Sequence, residues 1–219
     1  MRADMSQNIF EARYSQIAVQ GGETWFREPH YEELAQYWRT KLQSEKGRFL
    51  EIGCGAGRLT SVFQDLGFEI AGIDVSPLAI QSALARHPGV EFQVCDIQTG
   101  LPWADDSFDV VLDSDCLHHI AGMGRQAFLN EAFRVLRPDG KLFVKTNVGI
   151  PDPANWERFG YDSETKTTKM QGETANYFAE VDEVMQEVRQ VGFFIESHAQ
   201  TPASVDGSAQ LHVTALKPG

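Results

Sequence analysis

The sequence predicts an α/β fold with a doubly wound, Rossmann-like, mostly parallel sheet. From residue 49 onward, short apolar runs alternate with amphipathic segments, which is typical of βαβ units with helices on both faces of the sheet. The stretch Phe49–Thr60, FLEIGCGAGRLT, joins an apolar run to alternating glycines and a helical pattern. Glycines before a helix N-terminus allow a ligand to approach the backbone closely.

The first 46 residues are predicted to form a helical lid segment of a single domain. A short helix is indicated between Ile9 and Ile17, before the helix-breaking pair Gly21-Gly22. Apolar residues then recur every three or four positions from Tyr31 to Leu42, which predicts an amphipathic helix over 30–44.

Residues 47–146 are predicted to form the cofactor-binding core. Ser76 and Pro77 fit the N-cap and first position of a helix that runs to Arg86. Pro138-Asp139-Gly140 predicts a turn. The predicted strands cover 49–52, 68–74, 90–95, 108–113 and 141–146, and a helix is predicted over 57–66.

Residues 147–219 are predicted to lie on the substrate side. The part 147–178 is polar and reads as a long irregular loop. A helix over 180–191 ends at Gly192, and strands follow over 193–195 and 211–216. Residues Thr201–Ala209, with Pro202 and Gly207, join these strands too tightly for a crossover helix, so one of the two should be antiparallel.

Composition limits the partners that this chain can have. A net charge of −12 disfavours nucleic acid and anionic membranes as ligands. We find no apolar run of membrane-span length, no secretory signal and no metal-binding motif, and three cysteines give no disulfide framework. We therefore expect a cytoplasmic protein with no metal and a small-molecule substrate, and leave its oligomeric state open.

Polar residues follow the ends of several predicted strands. The glycine turn Gly53–Gly57, Asp74, Asp96 and Asp113 each come at or just after an apolar run. The carboxyl ends of parallel strands share one edge, where ligands bind. Asp74 lies 19 residues after Gly55, where a carboxylate can hold ribose hydroxyls, and Asp96 can accept from an exocyclic amine.

These segments resemble the class I S-adenosylmethionine-dependent methyltransferases, in particular the small-molecule branch that includes ubiquinone and menaquinone biosynthesis methyltransferases. The matching pieces are LEIGCGAG (50–57), AGIDVSP (71–77), VCDIQTGLPWADDSFDVVLDSDCLHHI (94–120) and LRPDGKLFV (136–144). The resemblance implies a seven-stranded sheet with an antiparallel C-terminal strand. It also implies S-adenosyl-L-methionine as cofactor and S-adenosyl-L-homocysteine as product.

The resemblance also implies which residues hold the cofactor. The methionine part would lie against Glu51, Gly53, Cys54, Gly55 and Gly57, with Asp113 or Ser114 beside the transfer path. Asp74 and Val75 would hold the ribose, and Asp96 and Ile97 would hold the adenine.

Residues for catalysis and substrate binding are less well marked. His118 and His119 are candidate general bases, although neighbours on a helix do not face each other and both could simply pack. Candidate substrate contacts are the aromatic residues Tyr14, Trp25, Phe26 and Trp156.

Two other functions stay open. A nicotinamide-dependent oxidoreductase could use a similar sheet, although Arg58 replaces the third glycine of the dinucleotide fingerprint. A non-catalytic scaffold could bind the same cofactor, because binding and catalysis are separable.

Overall fold

A computed structural model describes residues 6–19, 30–151, 153, 156–170, 173–202 and 209–219. The strands in these residues are β1 (Arg48–Ile52), β2 (Glu69–Asp74), β3 (Glu91–Val94), β4 (Phe108–Ser114), β5 (Leu136–Val148), β6 (Thr167–Met170), β7 (Glu173–Tyr177), β8 (Phe194–Pro202) and β9 (Ala209–Leu216). The helices are α1 (Ser6–Val19), α2 (His30–Leu42), α3 (Thr60–Asp65), α4 (Pro77–Arg86), α5 (Met123–Val135), α6 (Trp156–Phe159) and α7 (Val181–Val191).

Seven strands form the central sheet in the order β3-β2-β1-β4-β5-β9-β8. Strands β1 to β5 pair in parallel, whereas β9 runs antiparallel to both β5 and β8. The predicted α/β class, with its mostly parallel seven-stranded sheet and antiparallel C-terminal strand, is confirmed.

Alternate residues of the central strands pack on opposite faces of the sheet. Leu50, Ile73 and Val111 belong to the core that α5 and α7 cover, while Phe49 and Leu112 face the helices α2 and α3. This period of two is what a sheet buried on both faces requires. The polar crevice is therefore confined to the edge where the strands end.

Several predicted boundaries were right because local chemistry sets them. The Ser76 side chain accepts from Ala79 N and caps α4, and Gly192 ends α7 with a φ of +114°. Helix α3 begins at Thr60 rather than at 57, because the turn that starts after β1 continues to Leu59.

Two regions differ from the predictions. The segment 147–178, predicted to be an irregular loop, contains α6 and the antiparallel hairpin β6–β7. The predicted turn at Pro138-Asp139-Gly140 lies inside the bounds of β5, where the pairing register with β4 shifts and Asp139 has a φ of +63°. The turn chemistry is present, but it forms a strand irregularity.

Candidate active site

A cavity of about 440 Å³ lies at the carboxyl ends of β1 to β4, within the usual size range of ligand pockets, roughly 300–1,000 Å³. Its walls at these strand ends comprise Glu51–Ala56, Asp74, Val75, Cys95–Gln98 and Ser114–Cys116. The sheet therefore brings most of the predicted cofactor residues together around one space.

The turn after β1 forms one wall of the cavity from backbone. Gly53 and Gly55 have left-handed φ values of +70° and +55°. A Cβ on Gly53 would lie 1.8 Å from Cys116 Sγ, and one on Gly55 would lie 2.5 Å from Tyr14 Oη. Any larger residue would clash and strain the backbone, so this wall requires glycine.

Asp74, at the end of β2, fastens the glycine turn. Its Oδ2 accepts from Gly55 N at 3.0 Å, and its Oδ1 accepts from Ser76 N at 2.9 Å. Burial raises the pKa of Asp74 to about 6, although these two backbone bonds oppose the shift. The side chain lines the cavity, so a carboxyl group stands beside the turn.

Asp96 organises the segment after β3. Its Oδ1 accepts from Gln98 N at 2.9 Å and from Gln98 Nε2 at 3.2 Å, which caps the 3₁₀ turn Ile97–Thr99. Asp96 and Ile97 both line the cavity. The turn therefore presents a carboxyl group and the backbone of Ile97 at the same wall.

Glu51 places a second carboxyl group beside the glycine turn. Its side chain is buried, and Oε2 has no hydrogen-bond partner among the described residues. Burial raises its pKa well above the ordinary range. A buried oxygen that accepts no hydrogen bond costs free energy. The position of Oε2 therefore favours a ligand that donates a hydrogen bond to it.

Helix α1 covers the cavity from the N-terminal side. Glu11 Oε2 accepts from Ser76 Oγ at 2.5 Å and from Leu78 N at 3.4 Å, which attaches α1 to the start of α4. Phe10, Arg13 and Tyr14 then line the cavity. Burial raises the pKa of the Tyr14 hydroxyl. Tyr14 was predicted to contact substrate, and the structure places it against the glycine turn.

His118 and His119 lie on the 3₁₀ turn Leu117–His119 and both line the cavity. Their ring centroids are 4.1 Å apart, so the expectation that they would not face each other was wrong for this turn. Burial lowers the pKa of both imidazoles. His119 Nδ1 lies 2.6 Å from Ala175 O, which joins the turn to the hairpin.

A buried arginine holds this turn in place. Arg125 Nη1 donates to Leu117 O at 2.8 Å and to Ile120 O at 3.3 Å. Its Nε and Nη2 donate to the two carboxylate oxygens of Glu187 at 2.8 and 2.7 Å. The bidentate pair connects α5 and α7 with the 3₁₀ turn Leu117–His119, called the histidine turn below.

Some predicted site residues do not line the cavity. Asp113 is fully buried and accepts from Cys116 N at 2.9 Å and Leu117 N at 3.3 Å, so its carboxyl caps the histidine turn. The Gly57 carbonyl accepts from His87 Nε2 at 2.8 Å, on the side facing α4. Trp156 donates to Pro151 O at 2.7 Å. Trp25 and Phe26 fall outside the described residues.

The structure adds cavity residues to which the sequence analysis assigned no role. Asp115 follows β4 with a left-handed φ of +71° and forms an ion pair with Lys145 of β5. Lys145 is buried, so this charge pair lies in the interior. The further lining comes from α1, the hairpin and the last strands, and comprises Ile9, Phe10, Arg13, Asn147, Met170, Ala175, Asn176 and Gln210. Long-range packing brings these residues together, and no local pattern predicts it.

Comparison with known proteins identifies the central part of the chain. A family model described as a methyltransferase domain matches residues 50–144, which include the glycine turn, Asp74 and Asp96. Residues 50–144 are therefore similar to a methyltransferase domain. No cluster of three metal-ligating side chains occurs among the described residues, and none of their helices is long and apolar enough to cross a bilayer.

Relatives of the methyltransferase domain include enzymes named for quinone biosynthesis. A demethylmenaquinone methyltransferase of Tropheryma whipplei is 36% identical over 96 residues, which are 43% of this chain and 39% of that protein. A mitochondrial ubiquinone biosynthesis O-methyltransferase of Mus musculus is 29% identical over 108 residues, covering 45% of this chain and 28% of the relative. The match thus spans less than half the length of either relative.

A solved structure shares the methyltransferase fold over a longer stretch. An S-adenosylmethionine-dependent methyltransferase from Methanosarcina mazei is 25% identical, with a TM-score of 0.64. The superposition covers 78% of this chain and 92% of that one. The similarity therefore extends beyond residues 50–144 into flanking elements.

Proposed function

We propose that this chain transfers a methyl group from S-adenosyl-L-methionine to a small-molecule acceptor and releases S-adenosyl-L-homocysteine. The observation that carries the proposal is the shared wall of the cavity. Within a methyltransferase domain, the Gly53–Gly55 backbone, Asp74 and Asp96 line the same space. The glycine backbone, which has no Cβ atoms, leaves room for a ligand to lie close to it. The two carboxyl groups beside it can accept hydrogen bonds from an adenosine and suit a positively charged ligand.

The residues present fit this cofactor. Glu51 Oε2, which lacks a partner among the described residues, lies where an amino group of the methionine part could donate. In this proposal Gly53, Cys54 and Gly55 contact the methionine part, Asp74 and Val75 hold the ribose, and Asp96 and Ile97 hold the adenine. Ser114 lies beside the transfer path. Asp113 and Gly57 act by supporting neighbouring turns, since neither lines the cavity.

When bound, the cofactor supplies a methyl carbon made electrophilic by the sulfonium sulfur. The chain's own contribution is positioning. Asp74 keeps Gly55 in place, and Glu11 keeps α1 over the cavity. Holding two reactants in line can contribute about 7 kcal/mol or more to lowering the barrier. Covering the cavity also limits the access of water, which would compete with the acceptor.

The three segments of the chain support a division of roles. We propose that residues 1–46 act as a lid, 47–146 bind the cofactor, and 147–219 contribute to the acceptor side. Residues of α1 and of the hairpin β6–β7 line the cavity together with the core. The size of the cavity and the net charge of −12 favour a small acceptor over a nucleic acid. The names of the quinone-biosynthesis relatives support an acceptor related to quinones.

A transfer assay tests this function. The chain is incubated with S-adenosylmethionine and a panel of hydroxylated aromatic molecules, and S-adenosylhomocysteine is measured with and without the panel. We expect product to accumulate only with acceptor present, and less with Asp74→Ala. Cofactor binding without transfer to any panel member would favour the non-catalytic scaffold instead.

A further inference from the structure

Two side-chain amides stand opposite each other on β5 and β9. Asn147 of β5 and Gln210 of β9 are partners in the antiparallel pairing. Residues opposed in this way have their side chains on the same face, with Cβ atoms roughly 4.5 to 5.5 Å apart. Both residues line the cavity, and both are partly buried. The sheet therefore holds the two amides side by side at the cavity wall.

The side chains of this pair project from the face that borders the cavity. Their chain neighbours Val148 and Leu211 belong to the core that α5 and α7 cover, and neither lines the cavity. Successive side chains of a strand alternate between the two faces of the sheet. Asn147 and Gln210 therefore point away from that core and toward the cavity.

The amide pair lies apart from the walls that we propose for the cofactor. Those walls follow β1, β2 and β3, whereas β5 and β9 are the second and third strands beyond β1 on its other side. With about 4.8 Å between neighbouring strands, the pair is roughly 10 to 14 Å from β1 across the sheet. Ser114 of β4, beside the proposed transfer path, pairs with Lys145, two residues before Asn147. The amides are thus next to the transfer path, on the side away from the adenine.

The charges next to the amides on these two strands offset each other. Lys145 is buried and forms an ion pair with Asp115. Its partner on β9 is His212, whose pKa is lowered by burial and by Lys145, although Asp115 opposes the shift. The imidazole is therefore neutral at pH 7. This part of the wall favours an uncharged ligand.

Both amides can bind a ligand without giving up a bond within the protein. Neither forms a side-chain hydrogen bond with any described residue, whereas Asn176 Nδ2 of the hairpin donates to Thr168 Oγ1 at 3.1 Å. Each amide carries an NH₂ donor and a carbonyl acceptor. Two such groups side by side can donate to and accept from one planar molecule at the same time.

We propose that Asn147 and Gln210 are specificity-determining residues that bind the acceptor by an edge on which a carbonyl oxygen stands beside an O–H or N–H group. The inference rests on the proposed function and names the class of acceptor. One amide donates to the carbonyl oxygen, and the other accepts from the O–H or N–H. A carboxylate offers only acceptors, and an edge whose donor has been methylated offers no proton, so both bind weakly.

The test uses three bicyclic probes of similar size. 2-Quinolone has a carbonyl oxygen beside an N–H, N-methyl-2-quinolone lacks that proton, and 2-naphthoate is an anion. Isothermal titration measures their binding to the full chain saturated with S-adenosylhomocysteine. Asn147→Leu and Gln210→Met remove the amides and keep side chains of similar size. Gln200→Met, at an exposed position of β8, is the control.

We expect the wild type to bind 2-quinolone about tenfold more tightly than the other two probes, and each cavity variant to bind 2-quinolone about tenfold more weakly than the wild type does. Gln200→Met should bind it like the wild type. All three variants should keep the wild-type affinity for S-adenosylhomocysteine, which shows that they are folded. Equal binding of 2-quinolone to the wild type and both cavity variants, or tighter binding of 2-naphthoate, would overturn the inference.

A second measurement needs no variant. In proton–nitrogen correlation spectra of the wild type, the side-chain NH₂ signals of Asn147 and Gln210 should move when 2-quinolone is added and stay when 2-naphthoate is added. Signals that 2-quinolone leaves unmoved would overturn the inference. Failure of S-adenosylhomocysteine to bind the wild type would instead refute the proposed function, and the same spectra of the free chain would still decide whether the amides bind this edge.

Discussion

At the scale of single residues, the acidic side chains that end β2, β3 and β4 have different partners. Asp74 accepts from Gly55 N and Ser76 N, and Asp96 accepts from Gln98. Asp113 points its carboxyl to the backbone of the histidine turn. Sequence position alone predicts that all three side chains reach the crevice. Whether a carboxyl group does so depends on the unpaired backbone N–H groups near it. The turn that follows each strand sets the positions of those N–H groups.

Replacement of Asp74 tests the ribose assignment. Asp74→Ala should weaken the binding of S-adenosylhomocysteine by about 1.5 to 3 kcal/mol, because charge-assisted hydrogen bonds to the ligand are lost. Isothermal titration measures the change. Asp65→Ala, at an exposed side chain of α3, serves as the control and should bind like the wild type. An unchanged dissociation constant for Asp74→Ala would show that the ribose lies elsewhere.

Asp113 makes stability depend on pH in a direction unusual for a carboxyl group. Burial raises its pKa to about 7, against about 3.9 in an unfolded chain. The folded state therefore retains a proton that the unfolded state has lost between these values. This contribution to stability is fully present below about pH 4 and is lost as the pH rises to about 7, by up to about 1.4 kcal/mol per pH unit.

Asp113→Asn should remove this dependence. Urea unfolding at pH 5 and pH 7 should show a smaller difference for the variant than for the wild type. The variant should be less stable overall by about 1 to 3 kcal/mol, because an amide cannot accept from both Cys116 N and Leu117 N. Asp182→Asn, at an exposed side chain of α7, should keep the wild-type slope. An equal slope in Asp113→Asn would mean that other groups cause it.

At the scale of elements, α1 depends on one long-range contact. Glu11 joins α1 to Ser76 and the backbone of Leu78, and α1 supplies Phe10, Arg13 and Tyr14 to the cavity. Helical pattern alone predicts the helix but does not reveal its attachment, because the partners are more than 60 residues apart.

Loss of this attachment should loosen α1. Glu11→Ala should increase amide hydrogen exchange in residues 6–19 and weaken S-adenosylhomocysteine binding about fivefold, since a hydrogen bond to a charged group contributes about 1 kcal/mol or more. Gln16→Ala, at an exposed position of the same helix, should change neither property. Wild-type exchange in Glu11→Ala would show that apolar packing holds α1 by itself.

The histidine turn depends in the same way on the Arg125–Glu187 pair. Glu187→Gln leaves the buried guanidinium without its charged partner, and we expect a loss of about 2 to 4 kcal/mol in the free energy of unfolding. Urea denaturation measures it. Glu164→Gln, at an exposed side chain, should be neutral. A loss below about 0.5 kcal/mol would place this pair among weak surface ion pairs.

Elements differ in how far their sequence predicts them. Strand β1 and helix α4 carry strong signals, an apolar run in one and the Ser76-Pro77 start in the other. The hairpin β6–β7 has polar strands, TTKM and ETANY, without clear alternation of apolar and polar residues. Strand β8 likewise continues into exposed polar residues. Such segments are stabilised by pairing with a neighbouring strand. The local sequence pattern does not predict this pairing.

At the scale of the whole molecule, the order of apolar runs and glycine turns was enough to predict the sheet and its ligand edge. The wall that we propose for the cofactor follows from that, because each predicted residue lies near or shortly after the end of a strand. The wall that we propose for the acceptor does not. It is assembled from α1, the turn after β4, the hairpin and the ends of β5 and β9, whose proximity results only from folding.

The central claim is that the crevice binds a sulfonium cofactor, and isothermal titration tests it most directly. S-adenosylmethionine, S-adenosylhomocysteine and NAD⁺ are titrated separately into the wild-type chain and into Gly55→Ala, whose Cβ would meet Tyr14 Oη. The account predicts that both sulfur compounds bind the wild type with dissociation constants of about micromolar or below, that Gly55→Ala binds them more weakly, and that NAD⁺ does not bind. Binding of NAD⁺ with neither sulfur compound bound would contradict it.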